Sequence, residues 1–243
     1  MIEVYGPPLA PPVEYSRWLL ERMGSPFDFV PAAAAVSAIR SYRLKVPIEP
    51  PLILVDGTAH GGFRNSFDLL HDKLNAQAPR PQPKPDAEIV EDLFNNLFAQ
   101  AVRCFYREML GSPRVLKPMS TRGVSTWNRW VVDVGYPVWR WVLARGLKLD
   151  ETDAAADEES MRGAFARIAE RLGEQLFLAG SSPGADDILF AAIASPIILP
   201  SGHPVPMPDL AALPDPFRTI VEGYRATPAG QLALRTYARR HLP

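Results

Sequence analysis

Pro50-Pro51-Leu52-Ile53-Leu54-Val55-Asp56-Gly57 is the stretch whose reading decides the fold of this chain. From Pro51 to Val55 the apolar run is nearly continuous, the pattern of a strand covered on both faces in the middle of a sheet. Asp56-Gly57 is a turn signal leading into a weaker strand. Working back from it, Ile2-Glu3-Val4-Tyr5 alternates as a short strand that Gly6-Pro7-Pro8 ends. Glu14 to Met23 has a helical pattern with Tyr15, Trp18 and Leu19 on one side. Pro11 and Pro12 suit the first turn, and Gly24 stops the helix. Phe27-Asp28-Phe29-Val30 is a second strand, and Ala32 to Arg43 a second helix. Working forward, Asn65-Ser66 can cap a helix running through Phe67, Leu69, Leu70 and Leu74. Residues 1–77 therefore read strand, helix, strand, helix, strand, strand, helix.

The next segment has a proline at every second position from Pro79 to Pro85. Such a run is extended and semi-rigid, so residues 78–86 read as a linker; a proline-rich ligand is the other reading. Residues 87–243 show no strand. Ala87 to Leu110 carries apolar residues at helical period, from Ile89 and Val90 to Val102 and Phe105. Trp127 to Leu143 repeats the pattern, with Trp127, Trp130, Val131, Val134, Val138 and Trp141 on one face and Pro137 expected to kink it. Five acids between Glu151 and Glu159 read as a solvated, dipole-satisfying helix start. Asp186 to Ile197 reads as a central buried helix, and Pro214 to His241 as one or two closing helices.

Composition narrows the function. The 26 basic and 27 acidic residues leave a formal charge of -1, so no global basic field exists to hold nucleic acid. Cys104 is the single cysteine, which excludes an internal disulfide, a paired-cysteine redox centre and a cysteine zinc site. It reads as a buried structural thiol. His60, His71, His203 and His241 stand at no metal spacing, and the glycines at 57, 61 and 62 are not followed by the Lys-Ser or Lys-Thr of a phosphate loop. Arg235, Arg239 and Arg240 read as a solvated basic end face. No apolar run is long enough to span a bilayer, and the first residues lack the pattern of a secretory signal, so a cytoplasmic protein is expected.

Four local patterns, in order, give the chain a resemblance to the glutathione S-transferase superfamily. Ala10-Pro11-Pro12-Val13-Glu14-Tyr15-Ser16-Arg17-Trp18 looks like that family's active-site loop and first helix. Pro51 to Gly57 is similar to its third strand, which a cis-proline opens. Asn65-Ser66 looks like the pair that starts its third helix. Phe177-Leu178-Ala179-Gly180 followed by Pro183 to Ile188 resembles its capped buried helix, with Asp187 satisfying buried backbone donors. The resemblance implies a thioredoxin-like α/β domain followed by an all-helical domain. It also implies glutathione as co-substrate, a small apolar electrophile as partner, no metal and a homodimer.

Residue by residue, it implies a glutathione site at Pro51, Leu52, Asn65 and Ser66, where the Ser66 hydroxyl and the helix start would take the γ-glutamyl carboxylate. A plain helix cap is the other reading of Ser66. A thiol is mostly protonated at neutral pH, so catalysis needs a donor that favours the thiolate. The usual Ser or Cys position holds Ala10, which has no donor; the phenol of Tyr5 is the alternative source. Pro50 is a second departure. If Pro51 is the cis residue, the one before it has no N–H, and a backbone bond worth about 1 kcal/mol is unavailable. The register Glu49-Pro50 is the other choice. Gly184 replaces the usual capping Ser or Thr. Tyr106, Trp127 and Trp130 are the aromatics available to an acceptor pocket; a helical core is the other and favoured use of the two tryptophans. A non-catalytic ligand carrier of the same fold is the rival to a transferase.

Overall fold

The computed structural model describes residues 1–240, except the side chains of Asn128 and Val131; His241 lies outside the described residues. Met1–Lys84 with Lys117–Trp139 form one compact unit, and Pro85–Leu116 with Arg140–Pro243 a second.

In the first unit the strands β1 (Ile2–Gly6), β2 (Phe27–Pro31), β3 (Leu52–Val55) and β4 (Thr58–Gly61) form one sheet in the order β2-β1-β3-β4. β1 and β2 are parallel; the other two pairings are antiparallel. The apolar run Leu52–Val55 is an interior strand, as its unbroken hydrophobicity requires. Asp56 and Gly57 both have positive φ and join β3 to β4 as a two-residue hairpin turn, a conformation that suits the twist of the flanking strands. The strands alternate with α1 (Pro11–Met23) and α2 (Ala34–Arg43), and β4 leads into α3 (Phe63–Asp68). The arrangement is thioredoxin-like. A β1–α1 contact is so close that a Cβ on Gly6 would come 2.6 Å from Val13 Cγ2, and its φ of +154° also favours glycine.

Asn65-Ser66 does not cap the third helix. Gly62 does, and Asn65 and Ser66 sit in its first turn, because the Ser66 N–H bonds the Gly62 carbonyl at 3.0 Å and so is already helical. The helical path continues through a π-helical turn (Leu69–Leu74) and a 3₁₀ turn (Asn75–Gln77). The same unit holds α6 (Pro113–Ser120) in part, from Lys117 on, and α7 (Thr126–Gly146) as far as Trp139.

The second unit is all helical. The long helix expected from Ala87 is α4 (Ala87–Leu93), a π-helical turn (Phe94–Phe98) and α5 (Ala99–Met109). α8 (Ala154–Leu172), α9 (Ala185–Ile198), α10 (Asp215–Ala226) and α11 (Pro228–Ala238) follow. In α9 every residue except Asp186 is buried, and it packs on α4, α5, α10 and α11. A helix apolar all round belongs at the centre of a core.

Two expectations on charge fail. Asp157, in the acidic stretch read as solvated, is buried: its carboxylate takes Arg103 and Arg107 from α5. Burial alone would raise that carboxyl, and the two guanidinium groups outweigh it and hold it below its usual range. Arg240, read as part of a solvated end, is also buried, and desolvation pulls it down to about 10. Neither fact is visible without knowing which helices pack together. Cys104 is buried as expected, and desolvation, then Glu108, pushes its thiol up to about 12, far from a thiolate at neutral pH. Among the described residues no helix is long and apolar enough to cross a membrane.

The start of α9 depends on one side chain. Asp187 is fully buried, and its carboxylate accepts the N–H groups of Leu178 at 2.8 Å, Ala179 at 3.4 Å and Gly184 at 2.8 Å. It closes the loop before the helix as well as the helix start. Gly184 is the cap because a Cβ there would lie 2.6 Å from Ala179 Cβ, which excludes a serine or threonine without movement. Replacing Asp187→Ala strands three N–H groups and should lower unfolding stability by about 2–4 kcal/mol in urea titration, with Asp187→Asn keeping part of the loss back. An alanine variant within about 0.5 kcal/mol of wild type would show that the loop does not need the carboxylate.

Candidate functional site

The sheet register brings the expected glutathione-site residues to one end of the first unit. Tyr5, near the end of β1, pairs with Leu52 at the start of β3, and Leu52 pairs with Gly61 at the end of β4. Gly62 and the first turn of α3, with Asn65 and Ser66, follow directly. Pro50-Pro51 is the cis peptide, so the register is the one with Pro50 as the preceding residue and not Glu49-Pro50. Pro50 contributes no N–H, whereas the Gly62 N–H is used internally on the Glu49 carbonyl at 3.0 Å.

The polar groups at this end divide into engaged and open ones. The Asn65 Nδ2 donates to the Gly61 carbonyl at 3.0 Å, tying α3 to the end of β4. The Ser66 Oγ is fully buried and has no hydrogen-bond partner. An unsatisfied buried hydroxyl costs free energy, about 1–3 kcal/mol.

The start of α1 offers less. Ala10 is the N-cap, its own N–H donates to the Pro7 carbonyl at 3.0 Å, and its carbonyl receives Val13 and Glu14. Pro11 and Pro12 have no N–H to give. The backbone donors at this helix mouth are therefore either absent or engaged, and what remains for an anion is the dipole of the helix.

Tyr5 stands on the opposite face of β1 from Val4 and Gly6, whose neighbours are on the α1 side. The Arg40 guanidinium of α2 lies 4.0 Å from the centre of the Tyr5 ring and also reaches Glu3, at 4.0 Å. The phenol is thus held by α2, and its ring is half-buried beneath a cation.

Sequence reasoning missed what places α3. The hydroxyl of Tyr15 and Nε2 of His71 are hydrogen-bonded at 2.7 Å, both buried. The Tyr15 ring stacks on Phe67 at 5.9 Å and meets Phe63 edge-on at 5.9 Å, while Phe67 lies 4.5 Å from His71. Ser66 lies inside this run of α3, one residue from Phe67. Tyr15 lies on the apolar side of α1, as its helical spacing predicts; no signal linked it to a histidine 56 positions away. Tyr106 is half-buried in α5 of the second unit, with its ring edge-on to Phe105. Trp127 and Trp130 are in the first unit and exposed, so the expectation that they form a helical core is wrong. Among the described residues no cluster of three metal-ligating side chains occurs.

No protein-family model and no curated protein matches the chain. Solved structures do. It is similar to a glutathione S-transferase of Ceriporiopsis subvermispora crystallised in complex with glutathione, with a TM-score of 0.57 at 17% identity over 100% of this chain and 98% of that one. It is similar to a glutathione transferase of Phanerochaete chrysosporium, with a TM-score of 0.58 at 12% identity over 100% and 98% of the two chains. A third is the beta-etherase LigF of a Sphingobium strain, TM-score 0.53 at 15% identity over 96% and 98%. The chain therefore has the glutathione S-transferase fold.

His71 makes the α1–α3 contact sensitive to pH. Desolvation first, then Lys84, lowers its imidazole to about 4, with Asp72 opposing. An unfolded histidine has a pKa near 6.5, so between these values the unfolded chain binds more protons and stability falls as pH is lowered. Unfolding titrations from pH 7 to pH 4 should show wild type losing about 2–3 kcal/mol that His71→Leu does not lose. Parallel curves for the two proteins would remove His71 from this role.

Proposed function

We propose that the chain is a glutathione S-transferase-like enzyme whose first unit binds glutathione at the β1–β3–β4 end. The observation that supports it most is the Ser66 Oγ, buried and unpartnered in the first turn of α3. In this reading Ser66 and the first turn of α3 take the γ-glutamyl carboxylate, the backbone beside the cis Pro50-Pro51 peptide meets the cysteinyl part, and Pro51 and Leu52 line the site. Asn65 orients that turn through Gly61. The glutathione thiolate attacks an apolar electrophile, forming a carbon–sulfur bond and releasing a leaving group or adding across a double bond. The thiol proton goes to solvent.

Thiolate stabilisation falls to the α1 dipole and to the Tyr5 phenol, since Ala10, Pro11 and Pro12 provide no side-chain or free backbone donor. That same poverty favours a second reading, a carrier that binds glutathione or an apolar ligand without turnover. The expected setting of the enzyme is cytoplasmic and the expected assembly a homodimer.

Titration calorimetry with glutathione should give a dissociation constant between micromolar and millimolar, and Ser66→Ala should weaken it about tenfold. Absence of binding to wild type would end the proposal. Conjugation of a chromogenic aryl halide should fall about ten- to a hundredfold in Tyr5→Phe with glutathione affinity unchanged. Turnover that Tyr5→Phe leaves intact would take the phenol out of the mechanism, and binding with no turnover would establish the carrier.

A further inference from the structure

α2 is inverted for a helix that meets only water. Ser37 and Ser41 are buried, at 2% and 1% exposure, whereas Ile39 and Tyr42 are exposed at 54% and 77%. A surface helix ordinarily buries its apolar positions and presents its polar ones. The serines, four apart, share one face; Ile39 and Tyr42, three apart, share another. Neither serine hydroxyl has a hydrogen-bond partner among the described residues, so no polar contact inside explains the inversion. A sequence that breaks its local rule in this way marks a place where function competes with folding. Leu44 and Ile48, beyond the helix, are exposed as well. All four apolar side chains belong to the first unit and together present on the order of 400 Å² of apolar surface, the size of patch that marks an interaction site.

Cations are interleaved with these apolar tips. Arg40, Arg43 and Lys45 stand in the stretch, and from Phe29 to Ile48 there is no Asp or Glu. The whole chain carries -1, so this is a local positive region on a slightly negative background. Arg40 is partly engaged, by the Tyr5 ring and Glu3. Arg43 and Lys45 are exposed, and among the described residues neither has an ion pair. The base of the segment is fixed. The N–H groups of Leu44, Lys45 and Val46 donate to the carbonyls of Arg40, Tyr42 and Ser41, each at 3.1 Å. Pro47 then lies so close to β4 that a Cβ on Gly61 would overlap its carbonyl oxygen. Tyr42, Arg43, Leu44 and Lys45 are therefore exposed on a rigid footing, in the order apolar, basic, apolar, basic. Such alternation suits a surface that offers negative charge at one depth and hydrocarbon just below it, which is the headgroup region of an anionic bilayer.

We propose that the segment from Ile39 to Ile48 docks the first unit on an anionic lipid surface. Ile39, Tyr42, Leu44 and Ile48 enter the headgroup boundary, while Arg43 and Lys45 meet the lipid phosphates and carboxylates. A small apolar patch or a few cations alone give marginal binding; the two signals together give reversible attachment. The inference does not rest on glutathione binding.

Co-sedimentation with vesicles tests it. The full chain should pellet with phosphatidylcholine vesicles that contain a third phosphatidylserine, far less with phosphatidylcholine alone, and less as salt is raised. Each cation at such a surface strengthens binding about fivefold, so Arg43→Gln with Lys45→Asn should weaken it about twentyfold. Asparagine tolerates the positive φ of Lys45, which keeps the turn. Tyr42→Ser with Ile48→Ser should weaken binding about tenfold at every salt concentration. All four positions are exposed, so the melting temperature should stay at the wild-type value. Wild type that stays in solution with anionic vesicles overturns the proposal, including the case in which it binds a polyglutamate peptide instead. Pelleting that survives both double variants, or that is lost instead in Trp127→Ser with Trp130→Ser, takes the contact off α2 and overturns it as well.

Discussion

The contact on which the first unit depends is the buried meeting of Tyr15 and His71. It joins α1 to the helical segment after β4, across a stack that includes Phe63 and Phe67. The Asn65 amide adds a second tie, from the first turn of α3 to the end of β4. With these ties, Ser66 is set in a fully buried position and its hydroxyl is kept from water and from any protein acceptor. A neutral imidazole is what such a place demands, since a charged ring would be desolvated beside Lys84. The packing of the unit and the chemistry of its open end are therefore linked through one histidine that touches no part of the expected ligand.

The second unit solves a different problem with the same logic. A helix as apolar as α9 needs its entry fixed away from solvent, and Asp187 does this by accepting the N–H of the Gly184 cap and those of Leu178 and Ala179 in the preceding loop. Burial raises that carboxyl, and the N–H groups pull against the shift. Asp157 shows the opposite balance, where two arginines win over desolvation. The difference is the partner: fixed dipoles soften the cost of a buried charge, while full cations reverse it.

The candidate site was legible wherever its residues are consecutive or mark a turn. Pro50-Pro51, the strand that follows and the Asn65-Ser66 pair were identifiable because proline, a run of branched residues and a small polar pair act on the backbone next to them. Their convergence was not, since it follows from Tyr5 pairing with Leu52 and Leu52 with Gly61. The helix cap was misplaced by three residues because Gly62, with φ of +85°, starts α3 by backbone geometry rather than by a side-chain bond. The lack of donors at α1 was half visible: Ala10 and two prolines can be read directly, but the engagement of the Ala10 N–H by Pro7 requires the turn to be formed.

The order of strands and helices, the interior strand and the central apolar helix were determined by the sequence alone, because periodicity, Pro and Gly act over a few residues. Burial is not local in that way. The same apolar pattern gave a core helix in α9 and exposed Trp127 and Trp130 on α7, and the same kind of charge was solvated in one acid and enclosed by two arginines in another. Only the tertiary structure decided those outcomes, since each depends on which element, distant in the chain, comes to lie against the residue.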